Sequence, residues 1–442
     1  MRIGFGAGDF AQNLVYPAAS MYLLFFYTDV FGLAPTVAAG LFLFVQVVDA
    51  LFTPFVGAFI DRHEPRWGKY RSHLLLAGIP LVVLSALSFW NPFGGGACAW
   101  KTAYACATYT GFTLLFTVVN VAYGALNASL SRDTYEITVL TSVRIFLANA
   151  GCFLASAGVP MLVALLGGGH AGRVPLPWRM AVFMGLGILP SFIFMPLVPF
   201  LRCRLGKKGL FYAFAAVAVC GMVALYVLSR VGRIEDHLGW VYAAQFVKAT
   251  GIIVATGYMW ALVPEVIAYS ERLTGRRLSG IVNAIMGVFF KAGMAIGRVA
   301  SGAVLAWTGY RASAARGVEA LPADPRAWFL TMAVFAFVAA VFFVFSFSQT
   351  KERVVMDAAE AAHVKMLDLW REFRRNGPLR WLGLFFVAAF ALMSMSNAAG
   401  AYFMNGLESQ TPLAQEGIRG LVCVVPSLLF GVAAFAVARY RA

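Results

Sequence analysis

The stretch FIDRHEPRWGKYRSHLL, Phe59 to Leu75, sets six charged side chains between two long apolar runs. The chain as a whole is 61% hydrophobic and only 12% charged, against roughly 25% charged residues in a soluble domain. So dense an island of charge therefore marks a loop between two buried segments. Working outward from it, apolar runs of about 20 residues, the length that crosses a bilayer core, recur twelve times in the 442 residues. The sequence predicts an all-α integral membrane protein with twelve transmembrane helices. The first run, from Asn13 to Val30, is too long for a signal-peptide core and lacks a small-residue cleavage pattern, which predicts a retained first helix.

A net charge of +15 fits nucleic-acid binding by number alone, but the positions of the charges exclude that class. With the N-terminus placed in the cytoplasm, the loops on that side hold roughly 22 of the 35 Lys and Arg, the opposite loops about 9, and four basic residues (Arg144, Lys248, Lys291, Arg298) fall inside helices. The basicity orients the chain in a membrane, with both termini cytoplasmic. The six cysteines lie in or beside apolar runs without CxxC spacing, so neither a metal site nor a disulfide framework is indicated.

The opening stretch has its own spacing, with Gly57, Asp61, Arg62, Arg66, Gly68 and Arg71 at fixed offsets. A Gly permits close helix approach, and an Asp pairs with a helix end or with an Arg across the loop. A loop that only oriented the chain would need no more than Lys and Arg. The pattern resembles the loop between helices 2 and 3 of the major facilitator superfamily, and its "DR…RWGKYR" form resembles the glycoside–pentoside–hexuronide:cation symporter branch, the relatives of melibiose permease. "GAGDFAQN", "FFYTDVFG", "VDALFTPFVGAFIDR", "NVAYGAL", "SRDTYEITVLTSVR", "LTGRRLSG" and "TKERVV" fit the same branch. The resemblance implies two six-helix bundles and secondary transport of a glycoside or related small polar solute, in symport with a proton or sodium. It implies no enzymatic activity, no cofactor beyond the co-transported cation, no nucleic acid, and a monomer in a bacterial inner membrane.

The order of these pieces departs from the family. "TKERVVMDAAEAAHVKMLDLWREFRRNGPLRW", which in the family joins helices 6 and 7, stands here between the tenth and eleventh helices. The family numbering then runs 1 to 5, 8 to 11, and 6, 7, 12. On this reading 1–167 with 327–352 form one bundle, 179–308 with 380–440 the other, and 353–379 a basic cytoplasmic linker; a simple split into 1–202 and 207–442 is the alternative. Each displaced block holds an even number of helices, so every helix keeps its direction. The connecting segments near 167–178, 309–326 and 405–417 reach roughly 40 Å or more when extended.

A carboxylate inside hydrocarbon is costly, so an intramembrane Asp is a functional candidate. Asp49 is one, because Val37 to Phe59 is otherwise uncharged. Asp9 lies near the start of the first run, where the apolar pattern leaves a solvated terminal Asp and an intramembrane one both open. The resemblance assigns Asp9, Asn13, Asn120, Tyr123, Arg144 and Lys291 to the substrate, Arg144 forking its donors onto hydroxyls or a carboxylate. It assigns cation coupling to Asp49, Thr53, Thr117 and Asn120, with sodium held weakly at Asp49, since Thr53 and Asn120 stand where the coupled relatives carry Asp. Gly124 stands in place of a sugar-stacking Trp. Gly57, Asp61, Arg62, Arg66, Asp133, Glu136, Glu265 and Arg276 match a cytoplasmic gate that latches two bundles. The lost Trp and carboxylates keep two other readings open, a lysolipid or amphiphile transporter and a rearranged scaffold that does not transport.

Overall fold

The computed structural model describes residues 2–62, 70–93, 99–130, 134–166, 176–194, 197–231, 234–257, 262, 266, 269, 279–310, 325–349, 374, 376–404 and 410–439. Its helices are α1 (Arg2–Phe25), α2 (Pro35–Arg62), α3 (Arg71–Leu87), α4 (Ala99–Leu130), α5 (Thr134–Leu166), α6 (Leu176–Leu186), α7 (Leu189–Phe194), α8 (Val198–Val231), α9 (Leu238–Gly257), α10 (Ser279–Trp307), α11 (Pro325–Gln349), α12 (Gly377–Met404), α13 (Pro412–Arg419) and α14 (Val425–Arg439). Among the described residues eight helical stretches are long and apolar enough to cross a membrane, and three shorter apolar ones lie in α3, in α6 with α7, and in α11. No strand occurs among the described residues.

The starts and breaks of these helices follow from local chemistry. Thr411 accepts a hydrogen bond from the Ala414 amide with Pro412 in the first turn of α13, and Asn376 accepts one from the Leu379 amide at the start of α12. Gly206, at φ 68°, divides α8 into a short basic entry and a long span, a backbone setting that favours glycine. π-helical turns extend α1 over Phe26–Val30 and join α13 to α14 over Gly420–Val424. Trp90, Trp100, Trp178, Trp240 and Trp307 are exposed near span ends that an alternating path assigns to one face of the membrane, where amphipathic indole rings are favoured.

The chain divides into two compact units: 1–185, 311–361 and 404–406 make the first, and 186–310, 362–403 and 407–442 the second. In the first, α1 packs along α5, α4 along α2 and α3, and α11 lies against α1, α3 and α5. The backbones of α1 and α5 close where Gly151 faces Phe10 and Leu14, a contact that leaves no room for a side chain. Phe342 of α11 packs on Phe10 with ring centres 4.5 Å apart.

In the second unit α8 packs along α9, with Gly251 against Ala218 and Gly221 against the Lys248 backbone. Gly293 and Gly297 of α10 abut α12 at Val387, Phe390, Ala391 and Ser394. Hydrocarbon offers little hydrophobic drive for helix association, so such small-residue seams supply the contact area. α12 is the most enclosed span, with 78% of its apolar window buried against 33% to 56% in the other seven.

Candidate functional site

α1 begins eleven residues before the first apolar run, which carries Asp9 two turns inside the helix instead of at its end. α5 likewise begins at Thr134, so Arg144 lies ten residues in. The two meet: Arg144 donates from Nε to Asp9 Oδ2 at 2.7 Å, with side chains 25% and 9% exposed. Such a charge-assisted bond offsets the cost of holding either ion in the membrane. Asn13, one turn beyond Asp9, donates from Nδ2 to the Asp9 carbonyl at 2.9 Å.

Tyr123 of α4 is fully buried. Its hydroxyl donates to the Phe5 carbonyl, its ring stacks on Phe5 at 4.7 Å and 12°, and the Arg144 guanidinium lies 4.9 Å from its ring centre. It therefore supports the arginine, a cation over an aromatic face. Among the described residues no hydrogen bond uses Asp9 Oδ1 or the two terminal nitrogens of Arg144. An acceptor and two donors are thus left beside one another, a set suited to the adjacent hydroxyls of a polyol. Asn120 is exposed on α4, and around Gly124, one turn further on, a side chain would meet no atom within 4 Å.

A second cluster joins α2 to α4. Asp49, 3% exposed, accepts from the Thr117 hydroxyl at 2.5 Å on Oδ1. The Thr53 hydroxyl donates at 2.7 Å to the backbone carbonyl of Asp49, so it braces the helix turn under the carboxylate. One carboxylate with hydroxyl oxygens around it has the hard-oxygen chemistry of a proton or sodium site.

The remaining sequence candidates are distributed otherwise. Lys291 is half-buried on α10 in the second unit. Gly57, Asp61 and Arg62 belong to the last turns of α2 and Glu136 to the first turn of α5, with their side chains outside the described residues; Arg66, Asp133, Glu265 and Arg276 lie outside them altogether.

Sequence reasoning gave no role to several buried polar groups. Asp29, 6% exposed in the π turn that extends α1, accepts from the Thr28 hydroxyl at 2.8 Å. Lys101, 3% exposed, donates to the Phe31 carbonyl at 3.2 Å and lies over the Phe31 ring. In the second unit Lys248 Nζ lies 3.1 Å from Ser396 Oγ, and the Arg419 guanidinium is held by Ser229 Oγ, the Ser229 carbonyl and Glu416. The signal for Asp29 was the motif FFYTDVFG, in which an acid follows an aromatic run before the helix has ended.

Apolar helices of membrane-crossing length and the enclosed Arg144–Asp9 pair are those of a multi-pass membrane protein. The model of the family described as MFS/sugar transport protein matches residues 4–175, 177–323 and 315–407, and the chain belongs to that family. It is a secondary transporter and not an enzyme. It is 32% identical over 403 residues to the uncharacterized symporter YnaJ of Bacillus subtilis (strain 168), covering 72% of this chain and 85% of that one. Identity is 27% over 411 residues to the isoprimeverose transporter of Lactiplantibacillus pentosus, covering 73% and 83%. It is 26% over 385 residues to the inner membrane symporter YicJ of Escherichia coli (strain K12), covering 71% and 83%.

These matches have an unusual shape. With YnaJ, 403 aligned positions draw on 72% of 442 residues, about 318, so about 85 positions face no residue of this chain. The isoprimeverose transporter leaves about 88 such positions, 411 less about 323. The second and third family matches also overlap at 315–323, which one uninterrupted pass along the family model would not produce.

Proposed function

We propose that this protein carries a glycoside or a related small polar solute across the membrane by alternating access, in symport with a proton or sodium taken up at Asp49. The observation that carries the reading is the Arg144–Asp9 pair, whose unused donors and acceptor lie beside one another in a membrane-spanning segment. Asn13 and Asn120 extend the hydroxyl contacts and Tyr123 holds Arg144 in place, and Lys291 of α10 is assigned to the solute by the family resemblance. Asp49 and Thr117 supply the coupling site, with Thr53 stiffening the turn beneath it. The relatives named as symporters and as an isoprimeverose transporter support both the coupling and the sugar.

The reading also sets the topology: a bacterial inner membrane, both termini cytoplasmic, and a cytoplasmic gate built from Gly57, Asp61, Arg62, Arg66, Asp133, Glu136, Glu265 and Arg276. Breaking such a latch opens the inner face of the carrier. It further includes a segment order in which residues 325–404 are a displaced pair of helices. Two findings support the order. α11 packs with α1, α3 and α5, although it follows them by well over a hundred residues. The 80 residues from 325 to 404 also match in size the 85 to 88 positions left empty in the alignments.

The test is solute counterflow in proteoliposomes against a panel of pentosides, hexosides, uronides and lysolipids, with and without sodium and at two pH values. Exchange of a polyol that depends on sodium or pH is the expected result. Exchange of lysolipid alone, or of nothing, overturns the reading.

A further inference from the structure

Charge gathers at one end of the second unit. The entry to α8 carries Arg202, Arg204, Lys207 and Lys208 within seven residues, the start of α12 adds Arg380, and the end of α14 adds Arg439. An alternating path places those three helix ends at the same face of the membrane. No Asp or Glu occurs anywhere in α8, α12 or α14. Gly206, at φ 68°, turns the basic entry of α8 aside from its span. Beyond it, Lys208 donates to the Ala438 carbonyl at 3.1 Å and the Tyr212 hydroxyl to the Ala434 carbonyl at 3.1 Å. Two positions one turn apart on α8 thus stitch two positions one turn apart on α14, and the Lys208 ammonium meets the carbonyl end of α14, where cations are favoured.

Aromatic rings line this stitch. The Arg439 guanidinium lies 5.4 Å from the ring centre of Phe435, one turn deeper on α14, and Phe435 meets Trp381 of α12 edge-on at 5.7 Å. Arg204 lies 4.8 Å from the ring centre of Phe200. Phe200 and Phe435 are 56% and 52% exposed. A guanidinium laid over a ring is held in place while its edge donors stay available. The opposite end of α8 uses the same device and supplies its own anion: Arg230 lies 5.4 Å from the Tyr226 ring centre, and Glu416 engages it at 2.8 Å. At the entry, Arg204, Lys208, Arg380 and Arg439 enter no ion pair among the described residues. Charge that only orients a chain in the membrane needs neither rings nor stitches. Exposed rings one step below a rim of cations match a phospholipid, with its phosphate at the membrane surface and its chains beneath.

We infer that the seam of α8 and α14, with the first turn of α12, binds an anionic glycerophospholipid, phosphatidylglycerol or its dimeric form cardiolipin. Arg204 and Arg439 fork their donors onto the phosphodiester, Lys208 adds the ammonium donors that Ala438 leaves over, and an acyl chain lies along Phe435 and Trp381. The site lies wholly within the second unit and does not depend on which solute is carried.

Native mass spectrometry of the full chain, titrated in detergent with phosphatidylglycerol or with phosphatidylcholine of the same chains, tests this. The wild type is expected to bind phosphatidylglycerol at least 10-fold more tightly than phosphatidylcholine. The double variant Arg204→Gln with Arg439→Gln should lose at least 10-fold of that preference, whereas Arg230→Gln, at the end where Glu416 supplies the anion, should keep all of it. A phosphatidylglycerol with a photoreactive acyl chain should label peptides from 198–212, 377–386 or 425–439. The comparison of the two lipids and the labelling need no variant and stand if the double variant fails to fold. Equal binding of the two lipids, an undiminished preference in the folded double variant, or labelling confined to other segments overturns the inference.

Discussion

The two units solve the same problem, keeping polar groups inside a membrane, with different partners. In the first, charges meet charges or hydroxyls across long stretches of chain: Asp9 with Arg144, and Asp49 with Thr117. In the second, Lys248 meets the Ser396 hydroxyl, and the helices close on glycine seams at Gly221, Gly251, Gly293 and Gly297. A set of groups that is already paired is poised for exchange of partners, with a hydroxyl or a cation replacing the internal one.

The sharpest way to break that contrast is to remove the carboxylate of the coupling pair. Asp49→Asn keeps the size and a hydrogen bond to Thr117 but loses the charge, so uphill uptake should fall by about 100-fold or more while counterflow persists. That follows because a single site carries the coupled cation in this reading. Uphill accumulation at the wild-type level in that variant would remove Asp49 from the mechanism. A packing change in the second unit comes next. Gly251→Val drives a side chain into the Ala218 backbone and should destabilise by about 1–3 kcal/mol, the usual cost of overpacking, seen as a lower melting temperature in detergent.

Smaller effects sharpen the first unit's role. Arg144→Lys keeps the charge and loses the fork of donors, and it should weaken solute affinity about 10-fold, about 1.4 kcal/mol; an unchanged affinity would show that the guanidinium geometry is not read. Tyr123→Phe deletes the hydrogen bond to the Phe5 carbonyl and should cost about 1 kcal/mol of stability. The aromatic support of Arg144 stays, so affinity changes no more than a few-fold. Last, Arg230→Gln at the exposed pair with Glu416 should leave both melting temperature and transport unchanged, since exposed ion pairs add little.

Much of the site was legible one residue at a time. Asp49 stood out because nothing charged surrounds it in sequence, and Lys291 because it interrupts an apolar run. Asp9 and Arg144 were harder. Asp9 precedes its apolar run and Arg144 lies near the start of its own, where hydropathy by itself leaves an interfacial end open, and the structure bonds the two within α1 and α5. Asp29 and Lys101 were missed for a related reason: each lies near a helix end in sequence, and burial comes from neighbouring helices that no local window contains.

Hydropathy and charge placement, which are local properties, determined by themselves that this chain is a many-helix membrane protein and which loops carry its charge. Motif spacing determined its family. Only the tertiary structure decided which distant residues meet: Asp9 with Arg144, 135 positions apart, Asp49 with Thr117, 68 apart, and α11 with α1, α3 and α5. The physical reason is range. Whether a segment is buried is set by its own residues, whereas the partner that makes a buried charge tolerable is chosen by helix packing, which depends on small-residue seams and shape across the whole unit.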